Sequence, residues 1–140
     1  MSRAAVFNLL ANDSQLNSIG FDVNSIHHNY TLEERPNDTP FIILQWGTED
    51  PPPFDDPDNP TRSAERLSLW MHFPVTVTED FSEIKHGLDR CDTVFRAARD
   101  IVGNDGYTLS FVRIIGRSSD FRDPGYETIS RNAGYEIYYR

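Results

Sequence analysis

The sequence predicts an α+β domain: an antiparallel or mixed β-sheet of about five strands with two helices packed on it, in the order α-β-β-β-α-β-β. Three observations carry this prediction. Residues 41–47, FIILQWG, and 66–73, RLSLWMHF, are dense in strand formers, and the second run alternates so that Leu67, Leu69, Met71 and Phe73 share one side. Residues 80–103, DFSEIKHGLDRCDTVFRAARDIVG, change period: Ile84, Leu88, Cys91, Phe95, Ala98 and Val102 make one helical stripe. No long crossover demands parallel pairing, so the economical sheet is antiparallel or mixed, built as one domain over residues 1–140.

In chain order, residues 2–11 read as a short helix that Ser2 can cap, with Val6, Leu9 and Leu10 on one face; Leu16 and Ile19 are expected to fold back onto the same core. Alternation of Ile26, His28, Tyr30 and Leu32 predicts a half-exposed strand over 24–32. The strands 41–47 and 66–73 then pair as a hairpin. In the long helix, Asp80 and Glu83 stand at capping-box spacing, Asp92, Arg96 and Asp100 at four-residue spacing, and Gly103 is placed to end the helix in a left-handed cap. Strands at 107–116 and 133–140 complete the sheet, the latter alternating Tyr135, Ile137 and Tyr139 with Glu136, Tyr138 and Arg140.

Two polar excursions interrupt this plan as long hairpin loops. GTEDPPPFDDPDNP, Gly47–Pro60, holds five carboxylates, five prolines and no basic residue; RSSDFRDPGYETISRN spans Arg117–Asn132. Long loops in a small domain commonly contact something.

The chain has 140 residues and a net charge of −9, which disfavours a nucleic-acid binder that works through a basic face. The charge is uneven: residues 1–84 hold 14 acids and 4 bases, residues 85–140 hold 8 acids and 9 bases. Such asymmetry suits a head-to-tail contact between identical subunits. One cysteine, Cys91, excludes an internal disulfide, no apolar run approaches a membrane span, and MSRAAVFNLLANDSQ does not read as a signal peptide, so a soluble protein made in the cytoplasm is expected.

Catalytic patterns are missing. GNDG, Gly103–Gly106, lacks the glycine spacing of a dinucleotide site and the lysine of a P-loop, and Ser118 and Ser119 lie in no nucleophile-elbow pattern. His27 and His28 alternate across a strand, so one metal cannot easily take both. His72 shares a strand face with Trp70 and Ser68, His86 lies off its helix's stripe, and Cys91 lies within that stripe as a small core residue. Asp55, Asp56 and Asp58 offer oxygens to calcium but lack the glycine and distal glutamate of an EF-hand. No catalytic, cofactor-binding or metal-binding residue is assigned, and no enzyme is expected.

Three stretches carry a resemblance: FDVNSIHHNYTLEERPNDTPFIILQWG, the helix after it, and DGYTLSFVRIIGRSSDFRDPGYETISRNAGYEIYYR. In that order they cover nearly the whole chain, which resembles the tail terminator proteins of long, flexible-tailed bacteriophages, especially those of actinobacteria. The single lysine against twelve arginines is compatible with a GC-rich genome. The resemblance implies a subunit of a ring, sixfold in that family, that caps the growing tail tube, ends its polymerisation and offers the surface that docks on the filled head. The implied partners are copies of itself, the tail tube protein and a head-completion or connector protein, with DNA only passing through the channel. The implied location is the head–tail junction of the virion, after assembly in the host cytoplasm. It implies no cofactor and no membrane. Its rivals are a head–tail connector or head-completion ring and, more distantly, a small calcium-dependent binding module.

Two expectations about residues follow from the ring. Asp50, Asp55, Asp56 and Asp58 are expected at the channel or an adjoining subunit, where carboxylates would repel passing phosphates. Arg113, Arg117, Arg122 and Arg131 are expected to meet the acidic half of the next subunit, with pairing to Asp120, Asp123 or Glu127 of the same chain as the alternative.

Overall fold

The computed structural model describes residues 3–28, 38–50 and 63–140, with the backbone alone at 48–50 and 63. Helices α1 (Arg3–Ala11) and α2 (Ser14–Ile19) precede strands β1 (Ile26–His28), β2 (Phe41–Asp50) and β3 (Ser63–Pro74); helix α3 (Phe81–Ala97) precedes β4 (Ile101–Val102), β5 (Thr108–Arg117), β6 (Phe121–Asp123) and β7 (Thr128–Tyr139). The α+β class holds, with a mixed sheet and helices packed on it. Among the described residues the sheet has seven strands rather than about five, and three helices accompany it rather than two. Among the described residues no helix is long and apolar enough to cross a membrane.

The extra helix comes from the interruption at Asn12–Ser14. Asp13 accepts a hydrogen bond from Leu16 N–H at 3.0 Å and so caps α2, which ends at Gly20 with φ 126°, a backbone that favours glycine. The same carboxylate takes two bonds from Arg90 on α3, at 2.9 and 2.7 Å, and these hold it below the usual carboxylate range. Leu16 is fully buried, as its fold-back requires.

Helix α3 begins where Asp80 accepts from Ser82 N–H at 2.9 Å, and it buries Ile84, Leu88, Cys91 and Phe95. It stops earlier than its sequence stripe. Ala98 is already extended, Asp100 is the left-handed residue with φ 51°, and β-branched Ile101 and Val102 pair with Leu109 and Thr108 as β4. Gly103 N–H closes the next turn on Tyr107 O, so the predicted left-handed cap at Gly103 is replaced by strand pairing.

The strand order is β1-β2-β3-β7-β5-β4, with β6 also on β7. Strand β1 is parallel to β2 and every other pairing is antiparallel. Strand β7 is the middle of the sheet, flanked along its length by β3 and on its other side by β5 and then β6. The second expected loop, Arg117–Asn132, is therefore largely strand. At the first, β2 continues to Asp50, and 51–60 lies outside the described residues.

Register carries four rungs straight across the sheet: Gln45–Ser68–Gly134–Gly116, Trp46–Leu67–Tyr135–Ile114, Glu49–Glu65–Ile137–Val112 and Asp50–Ala64–Tyr138–Phe111. Leu67, Leu69, Met71 and Phe73 all point into the main core with Tyr135, Ile137 and the buried sides of the three helices. Close approach of α3 to the sheet is permitted by Gly87, where a Cβ would stand 2.6 Å from Met71 Sδ.

Candidate functional site

The buried ionisable groups are built into the core rather than poised for chemistry. Burial, with Asp92 beside it, pushes the Cys91 thiol up, so it is no thiolate nucleophile. His72 is fully buried, its ring stacked on Phe41 with centroids 4.7 Å apart and its Nδ1 2.8 Å from Thr128 Oγ1; burial pulls its pKa down to about 4. It is a neutral imidazole at ordinary pH. Among the described residues no group of three or more His, Cys, Asp or Glu side chains is placed to hold a metal. A groove of about 410 Å³ between α1 and β4, lined by Asn8, Leu9, Asn12, Asp13 and Val102 among others, contains a single ionisable side chain, so it offers no acid–base pair.

What the sheet does present is a face without helices among the described residues. All three helices lie on the opposite side, with the main core between. On the helix-free side a second, smaller cluster joins Phe41, Ile43 and Tyr126, with Trp70 packed against it. Farther along, Phe111 stacks on Tyr138 at 4.4 Å, Tyr138 hydrogen-bonds Glu136, and Arg113 reaches Glu136 at 3.7 Å. Exposed Ile115 and Phe121 add apolar surface beside these groups.

Among the described residues the two outermost strands of the sheet are short. Strand β1 covers β2 only at Ile42–Leu44, and β4 covers β5 only at Thr108 and Leu109, with Asp100 N–H adding one bond to Ser110 O.

Each sequence-selected arginine has a partner within the chain. Arg117 is half-enclosed between Asp89 at 2.8 Å and Asp92 at 2.7 Å, Arg131 donates to Ser118 O at 2.8 Å and stands 3.6 Å from Asp120, and the exposed Arg122 stands 3.3 Å from Glu79. Arg113, with its side chain 69% exposed, stands 3.7 Å from Glu136 and beside the Tyr138 hydroxyl. Of the loop acids, Asp50 ends β2 and Asp55, Asp56 and Asp58 lie outside the described residues. Sequence spacing misses the part played by Asp92: in place of a helical pair with Arg96, its carboxylate joins Arg117 and the Tyr135 hydroxyl.

No protein-family model and no curated protein matches the chain. Among solved structures it is similar to a chain of the virion of a native gene transfer agent particle, with a TM-score of 0.69 at 12% sequence identity, over 99% of this chain and 94% of that one. The two chains share a fold. At that identity the likeness speaks for architecture from end to end, the sheet and its helices together, and not for any particular residue.

Proposed function

We propose that this chain is a structural virion subunit which assembles with copies of itself into a closed ring at the head–tail junction, and that it acts there as a tail terminator, capping the tail tube and presenting the docking surface for the head. The observation that carries the reading is the end-to-end fold likeness to a virion chain, reached independently of the sequence resemblance to tail terminators. On this reading the partners are further copies, the tube protein and a connector, and catalysis plays no part.

The acidic segment Gly47–Pro60, with Asp50, Asp55, Asp56 and Asp58, faces the channel or the adjoining subunit; its prolines reduce the entropy lost on ordering and remove backbone donors. Among the arginines, Arg113 and Arg122 are the best suited to reach a neighbour, because Arg117 and Arg131 are more enclosed by partners of their own chain.

Electron microscopy of particles made without this protein tests the reading. Tails of uncontrolled length are expected. Tails of normal length with empty or leaking heads would reassign the chain to a head-completion or connector ring, and normal particles would exclude a junction role altogether.

A further inference from the structure

One imidazole ties the last residue of β1 to two other elements. Trp46 on β2 donates its indole N–H to His28 Nδ1 at 3.2 Å, and Phe7 on α1 stacks on the His28 ring with centroids 5.3 Å apart. The guanidinium of Arg3, in the first turn of α1, lies 5.2 Å from the centre of the Trp46 ring. It also donates twice to Glu65 Oε1 on β3, at 3.0 and 2.5 Å. Glu65 is buried, and its other oxygen has no hydrogen-bond partner among the described residues.

The arrangement works only with a neutral ring. To accept the indole bond, Nδ1 must be unprotonated, so the single ring proton sits on Nε2. A second proton would remove that acceptor, leave the Trp46 N–H without its partner and set a cation beside Arg3. Arg3 is not free to retreat, because withdrawing it would strand the Glu65 carboxylate in the interior. The Trp46 ring, the better aromatic face for a cation, already faces Arg3. The part that can give way is therefore His28, exposed at the end of a strand of three residues. Among the described side chains the charged groups around it are Arg3 on α1 and, behind Arg3, Glu65 on β3, while β2 contributes the uncharged Trp46.

We infer that His28 is an acid-released latch: the neutral ring fastens the end of β1 to α1 and β2, and protonation frees that end while α1 stays anchored through Arg3 and Glu65. The latch belongs to the single subunit and holds whether or not copies assemble. Desolvation, and then the Arg3 charge, hold the pKa of His28 below its ordinary 6.5. The latch is accordingly closed above pH 6.5, where the histidine of the unfolded chain is neutral too, and opens as pH falls through the lower folded value.

Nitrogen–proton correlation NMR from about pH 7.5 to about pH 5 tests it, a range in which His28 titrates and His72, with a pKa of about 4, stays mostly neutral. The chain has two indole signals, from Trp46 and from Trp70, which donates to Gln45 instead. The Trp46 indole proton should move upfield with a midpoint below 6.5, while that of Trp70 stays in place. Over the same range the backbone amides of residues 26–28 should lose protection from hydrogen exchange relative to those of α3, after correction for the intrinsic rate. His28→Gln, a change at an exposed position, should abolish both effects and assigns the His28 ring signal by its disappearance. Trp46→Phe keeps a ring but removes the donor to the neutral imidazole, so the His28 midpoint should rise towards 6.5; a role in packing alone would not move it. A Trp46 signal indifferent to pH, protection at 26–28 that stays flat through the His28 titration, the same loss of protection in His28→Gln, or an unmoved midpoint in Trp46→Phe would each overturn the latch.

Discussion

Tyr135 donates its hydroxyl to Asp92 Oδ1 at 2.6 Å, joining the middle strand of the sheet to α3 inside the core, while Arg117 donates to the other oxygen of that carboxylate at 2.7 Å. The carboxylate is buried and has two strong donors, so its deletion should cost more than loss of either donor. Tyr135→Phe is expected to lower stability by about 1–2 kcal/mol. Asp92→Ala leaves the hydroxyl buried without an acceptor and Arg117 with Asp89 alone, at about 3 kcal/mol. Urea denaturation should show lower midpoints with unchanged slopes; equal losses in the two variants would mean that Arg117 gains nothing from Asp92.

His72 should make stability depend on pH. Its folded pKa of about 4 lies below the ordinary value of 6.5, so the unfolded chain binds the proton first. Stability contributed by the neutral ring is full above pH 6.5 and is lost as pH falls towards 4. The advantage of wild type over His72→Gln should shrink by roughly 3 kcal/mol between pH 7 and pH 4. Denaturation of both proteins across that range is the measurement, and parallel pH profiles would show that His72 protonates freely in the folded state.

Gly87 serves the approach of α3 to the sheet, since the nearest atoms to an added Cβ are the sulfur and terminal methyl of buried Met71, at 2.6 and 3.0 Å. Gly87→Val should destabilise by about 2 kcal/mol through overpacking, despite valine's better helix propensity. The companion Gly87→Val with Met71→Ala should recover part of that loss in thermal unfolding. No recovery would locate the cost elsewhere.

Arg122 has an exposed partner of its own chain in Glu79, which separates internal from external roles. Arg122→Glu should change monomer stability by no more than about 0.5 kcal/mol, because exposed ion pairs contribute little. Assembly into tails should nevertheless fail. The double exchange Glu79→Arg with Arg122→Glu restores the internal pair, and assembly should remain impaired; full rescue would assign Arg122 to its own chain.

Much of the architecture is legible in local periodicity. The alternation of Leu67, Leu69, Met71 and Phe73 and the stripe of Ile84, Leu88, Cys91 and Phe95 are both fully used in the core. The failures share a cause: the deciding partner is far away in sequence. Val102 continues the helical stripe, yet its pairing with Thr108 takes it into β4. Phe121–Asp123 reads as loop because its polar pattern hides three rungs to Ser130, Ile129 and Thr128. The parallel alignment of β1 with β2 depends on a return path that composition does not encode. Asp92 looks like a surface acid until Arg117 and Tyr135 are brought to it.

The insertion of β7 between β3 and β5 also governs when the sheet can be completed. Strands β3 and β5 are both made before β7, which pairs with each of them and so joins β1–β3 to β4 and β5. Pairings such as Ser63 with Tyr139 must wait for a distant segment, which slows the final step. A newly made chain therefore keeps two unfinished halves until its last strand emerges and knits them into one sheet.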